Sequence, residues 1–285
     1  MQITTVGLDL AKNVFQVHGA NERGKAMLRK KLRRDQLMPF FANLPPCLIG
    51  MEACGGAHHW ARKLQQLGHT VKLVSPQFVK PYVKSNKNDA ADAEAICEAV
   101  SRPTMRFVPV KNIEQQAVLA LHRVRQGFVK ARTAQANQIR GLLAEFGLVV
   151  PQGINHIAER VPELIEDAAN ELPGSFQQLI ARLMEHLKLL DSQVDDIEAQ
   201  IKAWHRTNEA SRRLEQVPSI GPLTASALAA TAGDAKNFDN GRQFAAWLGI
   251  VPKQHSEPPR FSRRLQLLRE LGPHEEVCEV FARGA

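Results

Sequence analysis

The sequence predicts a mixed α/β amino-terminal domain, a long helical hairpin or coiled coil, and a mainly α carboxy-terminal domain with a helix-hairpin-helix-like turn. Three observations point there. Short β-rich apolar runs alternate with helical stretches over residues 3–74, apolar residues from Leu179 to Ile201 recur near a 3.5-residue spacing, and Val217-Pro218-Ser219-Ile220-Gly221-Pro222 opens an alanine-rich end. With 285 residues, the chain has room for two domains or more and a sizeable core. Shifts in composition and period divide it at 1–105, 106–210, 211–256 and 257–285.

Residues 3–10 read as a strand rich in β-branched and apolar residues. Val14-Phe15-Gln16-Val17-His18 alternates, Asn21-Glu22-Arg23-Gly24 has turn chemistry, and 26–33 returns as a third strand with a strongly basic face. Asp35 is placed to N-cap a helix that runs through Phe40 and Phe41 and stops before Pro45-Pro46. The apolar run 47–52 suits a strand buried on both sides, which requires a parallel partner and covering helices. Gly55-Gly56 ends it, a helix over 57–67 closes at Gly68, and 70–74 is a further strand. The order β-β-β-α-β-α-β-α makes a mixed sheet with helices on its faces, and such sheets place ligands outside the carboxyl ends of their strands.

Beyond a helix over 90–100, residues 112–146 keep a helical period, with Val118, Leu121, Val124 and Phe128 on one side and Arg123, Arg125, Lys130, Arg132 and Arg140 on the rest. A second helix over 176–204 carries Leu179, Leu183, Leu187, Leu190, Val194, Ile197 and Ile201. The two form either an antiparallel hairpin or an intermolecular coiled coil, with the bend in the Pro- and Gly-bearing segment 151–174.

Four carboxylates stand out. Asp9 sits inside the apolar run Val6-Gly7-Leu8-Asp9-Leu10, where an unpartnered charge costs several kcal/mol to desolvate. Glu52 closes Leu48-Ile49-Gly50-Met51, and Asp89 and Asp92 lie three apart at the start of a helix. Converging, these acids would form an oxygen cage for a hard cation such as Mg²⁺. Taken alone, Asp89 and Asp92 also fit ordinary first-turn acids at the positive end of a helix dipole.

The balance of 37 Lys+Arg against 29 Asp+Glu gives a formal charge of +8, a common profile for a nucleic-acid enzyme whose cations hold phosphates while its acids hold metal. On charge alone, a mildly basic soluble protein with no polyanionic partner also fits. Lys12, then Lys80, Lys84 and Lys87 around Tyr82, offer a cationic approach for a strand of nucleic acid, although a solvated lysine loop has the same composition. Gly221 lets backbone N–H groups approach a DNA phosphate, and Ser219 stands where a second glycine would strengthen that signal. No apolar run reaches the ~20 residues of a membrane span, and no basic-then-apolar leader opens the chain, so the expected location is the cytoplasm. Cys47, Cys54, Cys97 and Cys278 lack metal-site spacing and are expected to be reduced thiols. His58-His59 read as helix-surface residues, and Trp204 and Trp247 as interface fillers.

Taken together, these residues resemble the insertion-sequence transposases of the DEDD class, some of which are bridge-RNA-guided serine recombinases. The likeness is carried by Val6-Gly7-Leu8-Asp9-Leu10-Ala11-Lys12, Gly50-Met51-Glu52-Ala53-Cys54, Asn88-Asp89-Ala90-Ala91-Asp92-Ala93, Pro218-Ser219-Ile220-Gly221-Pro222 and Ala245-Ala246-Trp247-Leu248-Gly249-Ile250-Val251-Pro252-Lys253-Gln254-His255-Ser256. It covers about residues 1–256, and five blocks in the right order are far more specific than one. The resemblance implies an amino-terminal RuvC-like domain of the RNase H fold, with Asp9, Glu52, Asp89 and Asp92 binding Mg²⁺. It further implies Ser256 as nucleophile of a carboxy-terminal transposase domain, and homo-oligomers, dimer or tetramer, built through the long helices. DNA is the implied substrate, and a structured guide (bridge) RNA from the element's own ends is the implied partner. His255 adjoins Ser256, but neighbours in an extended tip point opposite ways, which argues against it as the general base.

After Ser256 the chain departs from that pattern. Glu257-Pro258-Pro259-Arg260-Phe261 replaces the expected Gly-rich basic stretch, and the remainder to Ala285 bears no placeable likeness, as a reading-frame change after codon 256 would produce. That puts the chain's own recombination activity in question. The competing readings are a RuvC-like structure-specific nuclease that uses the four acids and water, and a non-catalytic nucleic-acid-binding remnant.

Overall fold

The computed structural model describes residues 2–83 and 89–250, and the chain divides into a compact unit ending at Ile113 and a second starting at Glu114. The first unit is built on a mixed sheet of β1 (Thr5–Leu10), β2 (Val14–Ala20), β3 (Ala26–Arg33), β4 (Leu48–Glu52), β5 (Thr70–Val74) and β6 (Phe107–Val108), in the order β3-β2-β1-β4-β5-β6. β1, β2 and β3 are successively antiparallel, β4 and β5 run parallel to β1, and β6 returns antiparallel to β5. The β2–β3 turn is held by the Asn21 side chain, which accepts from the Arg23 and Lys25 amides at 3.0 Å, and by Gly24 at φ +73°.

The pleat decides which residues meet which helix. Val6, Leu8, Phe15, Val17 and Leu32 face a core closed by α1 (Leu37–Ala42) and α2 (Ala57–Gln66), which contribute Leu37, Phe41, Trp60 and Leu64. The opposite face carries α4 (Asp89–Val100), which follows the short α3 (Pro76–Val79); Val74, Val79, Ala95, Ile96 and Ala99 form its apolar contact. Asp35 does not cap α1. It lies in a 3₁₀ turn, Arg34–Gln36, and pairs with Arg33 at 3.5 Å, so the charged neighbour rather than the helix end holds it.

The second unit is helical: α5 (Ile113–Ala144), α6 (Ile154–Glu166), α7 (Gly174–Thr207), α8 (Glu209–Glu215), α9 (Pro222–Ala232) and α10 (Gly241–Leu248). Of the two arrangements open to the long helices, the chain forms the antiparallel one with itself. Trp204 donates to Glu114 at 2.6 Å, Arg125 to Glu198 at 2.8 Å and Arg132 to Asp191 at 2.9 Å, and His186 meets Gln135 at 2.8 Å, partners converging along the chain as antiparallel neighbours must. Leu187, Leu190, Val194 and Ile201 are buried as their spacing predicts, but Leu179 is exposed and Ile180 takes its place. The segment 151–174 is more than a bend, because α6 occupies most of it and buries Ile157 and Val161. Pro162 hid this helix from the sequence, although helices do accommodate a proline where the lost bond is made good. Among the described residues no helix is long and apolar enough to cross a membrane.

Candidate active site

Asp9 and Glu52 stand at the carboxyl ends of adjacent parallel strands. Leu8 pairs with Met51, so the next residues, Asp9 and Glu52, lie side by side. Both point to the α4 face. A Cβ on Gly7 would fall on the carbonyl oxygen of Ala93 and within 2.5 Å of the Cys97 backbone nitrogen, and one on Gly50 would come within 2.8 Å of Val100, so both glycines lie under α4. Asp9 and Glu52 are two residues further along the same strands and share that face. Each acid is half-buried.

The helix brings its own acids from the other side. Ala93 lies above Gly7, while the Cys97 thiol donates to the carbonyl of Thr5 at 3.8 Å. Passing from Ala93 to Cys97 therefore moves toward the start of β1, so the amino end of α4 heads toward the strand end that carries Asp9. Asp92, half-buried, lies on that end of the helix. Asp89 opens α4, and its side chain lies outside the described residues.

Cys54 reports how near the first two acids are. Its thiol is pushed above the ordinary value by burial and then by the negative charges of Glu52 and Asp9, both close enough to disfavour a thiolate. Cys54, missed by the sequence reading, thus borders the site. A signal for the geometry was available: Gly7-Leu8-Asp9 and Gly50-Met51-Glu52 share one spacing, a glycine beneath the helix and an acid one pleat beyond it.

The other candidates fall as follows. Lys12 is exposed in the turn after β1, where its carbonyl accepts from Arg34 Nη1 at 3.2 Å. Lys80 is exposed at the start of a 3₁₀ turn, Lys80–Tyr82, and the Arg102 guanidinium lies 5.6 Å from the Tyr82 ring centroid. Lys84, Lys87, His255 and Ser256 lie outside the described residues. Gly221 caps α9 with φ −86°, a conformation open to any residue, and a side chain there would meet open space. The left-handed position of that turn is Ser219, at φ +68°. His58 is tied by accepting from the Lys111 amide at 3.2 Å.

One constellation imitates a catalytic triad. The His205 ring lies 2.8 Å from Ser211 Oγ on one side and 2.8 Å from a Glu215 carboxylate oxygen on the other. Ser211 is 0% exposed, so no substrate reaches it, and the group ties α7 to α8 as a satisfied buried network.

The donor chemistry suits a hard divalent cation: carboxylates stand at two strand ends, and Asp92 lies on the helix end that heads toward them. Asp9 and Glu52 lie side by side, and among the described residues no set of three His, Cys, Asp or Glu donors is drawn together. Carboxylates at the ends of adjacent parallel strands of a mixed sheet, in a basic chain that also carries a helical unit, match what a phosphodiester-processing class of protein requires. Comparison with known families makes this particular. The profile of a DEDD transposase family matches residues 6–147, and that of the IS116/IS110/IS902 transposase family matches 211–256. A protein of Pseudomonas aeruginosa described as "Probable family 20 transposase" is 52% identical over 90% of this chain and 76% of its own length. The transposase of insertion sequence element IS1328 from Yersinia enterocolitica is 47% identical over 89% of this chain and 75% of its own, and that of IS1111A from Coxiella burnetii is 43% identical over 89% and 70%. The chain belongs to the IS116/IS110/IS902 family of insertion-sequence DNA transposases.

Proposed function

We propose that this protein excises and inserts its element by metal-dependent strand cleavage and rejoining, on a RuvC-like RNase H fold, with Asp9, Glu52, Asp89 and Asp92 as the metal-holding acids and Ser256 as the nucleophile. The observation that carries the reading is the placement of Asp9 and Glu52, side by side at parallel strand ends on the face that α4 covers. The sheet order, with three antiparallel strands followed by two parallel ones, supports the fold assignment.

Bound Mg²⁺ would supply Lewis-acid neutralisation of the phosphorane's charge and of the leaving oxygen. The chain's own part is to hold that charge at the scissile phosphate and to deliver Ser256. Attack by Ser256 Oγ forms a phosphoserine ester as the P–O3′ bond breaks and the 3′ oxygen takes up a proton; the reverse attack reseals the strand without ATP. Guidance by a structured RNA from the element and assembly through the long helices complete the proposal, and both rest on family likeness.

Strand transfer on end-labelled DNA tests it. Asp9→Asn or Glu52→Gln lowers Mg²⁺-dependent product by ~100-fold or more, and Ser256→Ala abolishes the covalent protein–DNA adduct on a denaturing gel. Undiminished cleavage by Ser256→Ala would instead indicate a water-using nuclease. Because the family match ends at residue 256, titration calorimetry of Mg²⁺ uptake checks the acids without needing turnover.

A further inference from the structure

The edge strand β3 carries a feature that the metal site does not use. Its residues alternate between the faces: Leu32 enters the core under α1 and α2, so Arg29, Lys31 and Arg33 project on the α4 side. Strand register then ties them to the acids. Asp9 pairs with Gln16 on β2, and Gln16 pairs with Lys31 on β3, so Glu52, Asp9, Gln16 and Lys31 form one row across four adjacent strands on one face. Strands lie ~4.8 Å apart, which puts Lys31 ~10 Å from Asp9. In the neighbouring row His18 pairs with Arg29, and α4 reaches both through Glu94, 3.0 Å from Arg29 and 3.9 Å from His18.

Between the amino end of α4 and these strands lies a cleft of about 180 Å³, lined by Gln16, His18, Arg29 and Lys31 with Ala90 and Ala93 as the helix wall. Among the described residues Glu94 partly neutralises Arg29, and Asp35 lies 3.5 Å from Arg33. Among the described residues no ion pair or side-chain hydrogen bond involves Lys31 or Gln16. A polar cleft that ends in an unneutralised lysine, one row along from paired carboxylates, is complementary to a chain that carries negative charge at regular intervals. The carboxylates repel such a chain at their own position, and the lysine attracts it two strands away.

We infer that Lys31, with Gln16 beside it, is a phosphate-gripping position for the DNA strand being cut, holding the backbone a nucleotide or two from the phosphate that lies at Asp9 and Glu52. Lys31 is a positioning residue, since it touches a non-reacting phosphate. The site assignment rests on the acids as reaction centre, but the grip is a binding property and is measured without metal or turnover.

The test is fluorescence-anisotropy titration of a single-stranded DNA oligonucleotide with the full chain, without divalent metal, over a series of salt concentrations. Lys31→Glu weakens binding by about tenfold, Lys31→Ala by several-fold with a loss of about one from the slope of log K against log salt, and Lys31→Arg restores both. Lys63→Glu on α2, beneath the opposite face, makes the same charge change and leaves binding within about twofold. Oligonucleotides carrying one neutral methylphosphonate each then locate the contact: one position weakens the wild type but not Lys31→Ala. Asp9→Asn removes a repelling carboxylate and so binds here at least as tightly as the wild type even where it loses product, which makes failure of the metal reading and failure of the grip separable. Unchanged affinity and salt slope in Lys31→Glu would overturn the inference and leave β3's charges as guards of a sheet edge.

Discussion

Ser219 holds a φ of +68°, third in the turn Val217-Pro218-Ser219-Ile220, whose Ile220 amide donates to the Val217 carbonyl at 3.1 Å. Proline second and a positive φ third is the type II pattern, in which glycine is the unstrained third residue. An L side chain there costs about 1–2 kcal/mol, while glycine returns some of that through the entropy of the unfolded chain. Ser219→Gly is therefore expected to stabilise by about 0.5 kcal/mol, and Ser219→Val to destabilise by about 1–2 kcal/mol, read from urea midpoints. Gly7 obeys a stricter limit. An added methyl meets backbone atoms of Ala93 and Cys97, which cannot rotate away, so Gly7→Ala should cost about 3 kcal/mol or more and displace α4. Gly50→Ala meets only the Val100 side chain and should cost less; equal costs would show that α4 does not lie closer to β1 than to β4. The placement of Asp9 and Glu52 at strand ends was legible for a local reason: a charge in an apolar strand needs a compensating neighbour. The position of Lys31 in one row with Asp9 was not legible, because register across three strands, unlike period along one, cannot be read from a single segment.

At the level of elements, the α5–α7 pair shows how much a helical period reveals. Spacing identified both helices and the buried Leu187, Leu190, Val194 and Ile201 of α7. Of the stripe Val118, Leu121, Val124 and Phe128 in α5, however, only Val118 is buried and Val124 is exposed, the contact shifting to Ala136, Ile139 and Leu143. Spacing also left open whether the partner was the same chain, since an apolar stripe is equally satisfied by a second copy. Polar cross-links decide the question. Arg125 Nη2 lies 2.6 Å from Glu198, whose carboxyl burial would push up; the hydrogen bond and charge of Arg125, followed by Lys202, outweigh this and hold it below the ordinary value. A carboxyl depressed in the folded state contributes stability that is present above its unfolded pKa and is lost as pH falls through the folded one. Helical-unit stability should therefore decline on acidification through the carboxylate range. Arg125→Ala should cost about 1–2 kcal/mol at neutral pH and almost nothing at the acid end, where both forms have lost the pair. Circular dichroism melts at several pH values check this, and a cost independent of pH would mean that the arginine acts through packing alone.

For the molecule as a whole, α/β-then-α was readable from the change of period, whereas α6 and β6 were not: a proline masked the first, and two residues are too few to carry alternation for the second. The two units bury separate cores, one around Phe15, Phe41 and Trp60, the other around Leu214, Phe244 and Leu248. A ligand held by Asp9 and Glu52 should therefore stabilise the first unit selectively. Tryptophan placement makes that measurable, because Trp60 is the one tryptophan before Glu114, while Trp204 and Trp247 follow it. With both of the later residues changed to Phe, Trp60 fluorescence reports the first unit alone. Magnesium chloride at about a hundred times its Kd should add ~2.7 kcal/mol, on the order of 10 °C in the midpoint of a unit this size. The helical unit, followed by circular dichroism, should not move. Asp9→Asn should abolish the Trp60 shift, since half of the side-by-side Asp9–Glu52 pair loses its charge. A shift that survived in Asp9→Asn, or that moved both units alike, would place the cation on general surface charge and remove the metal from this site.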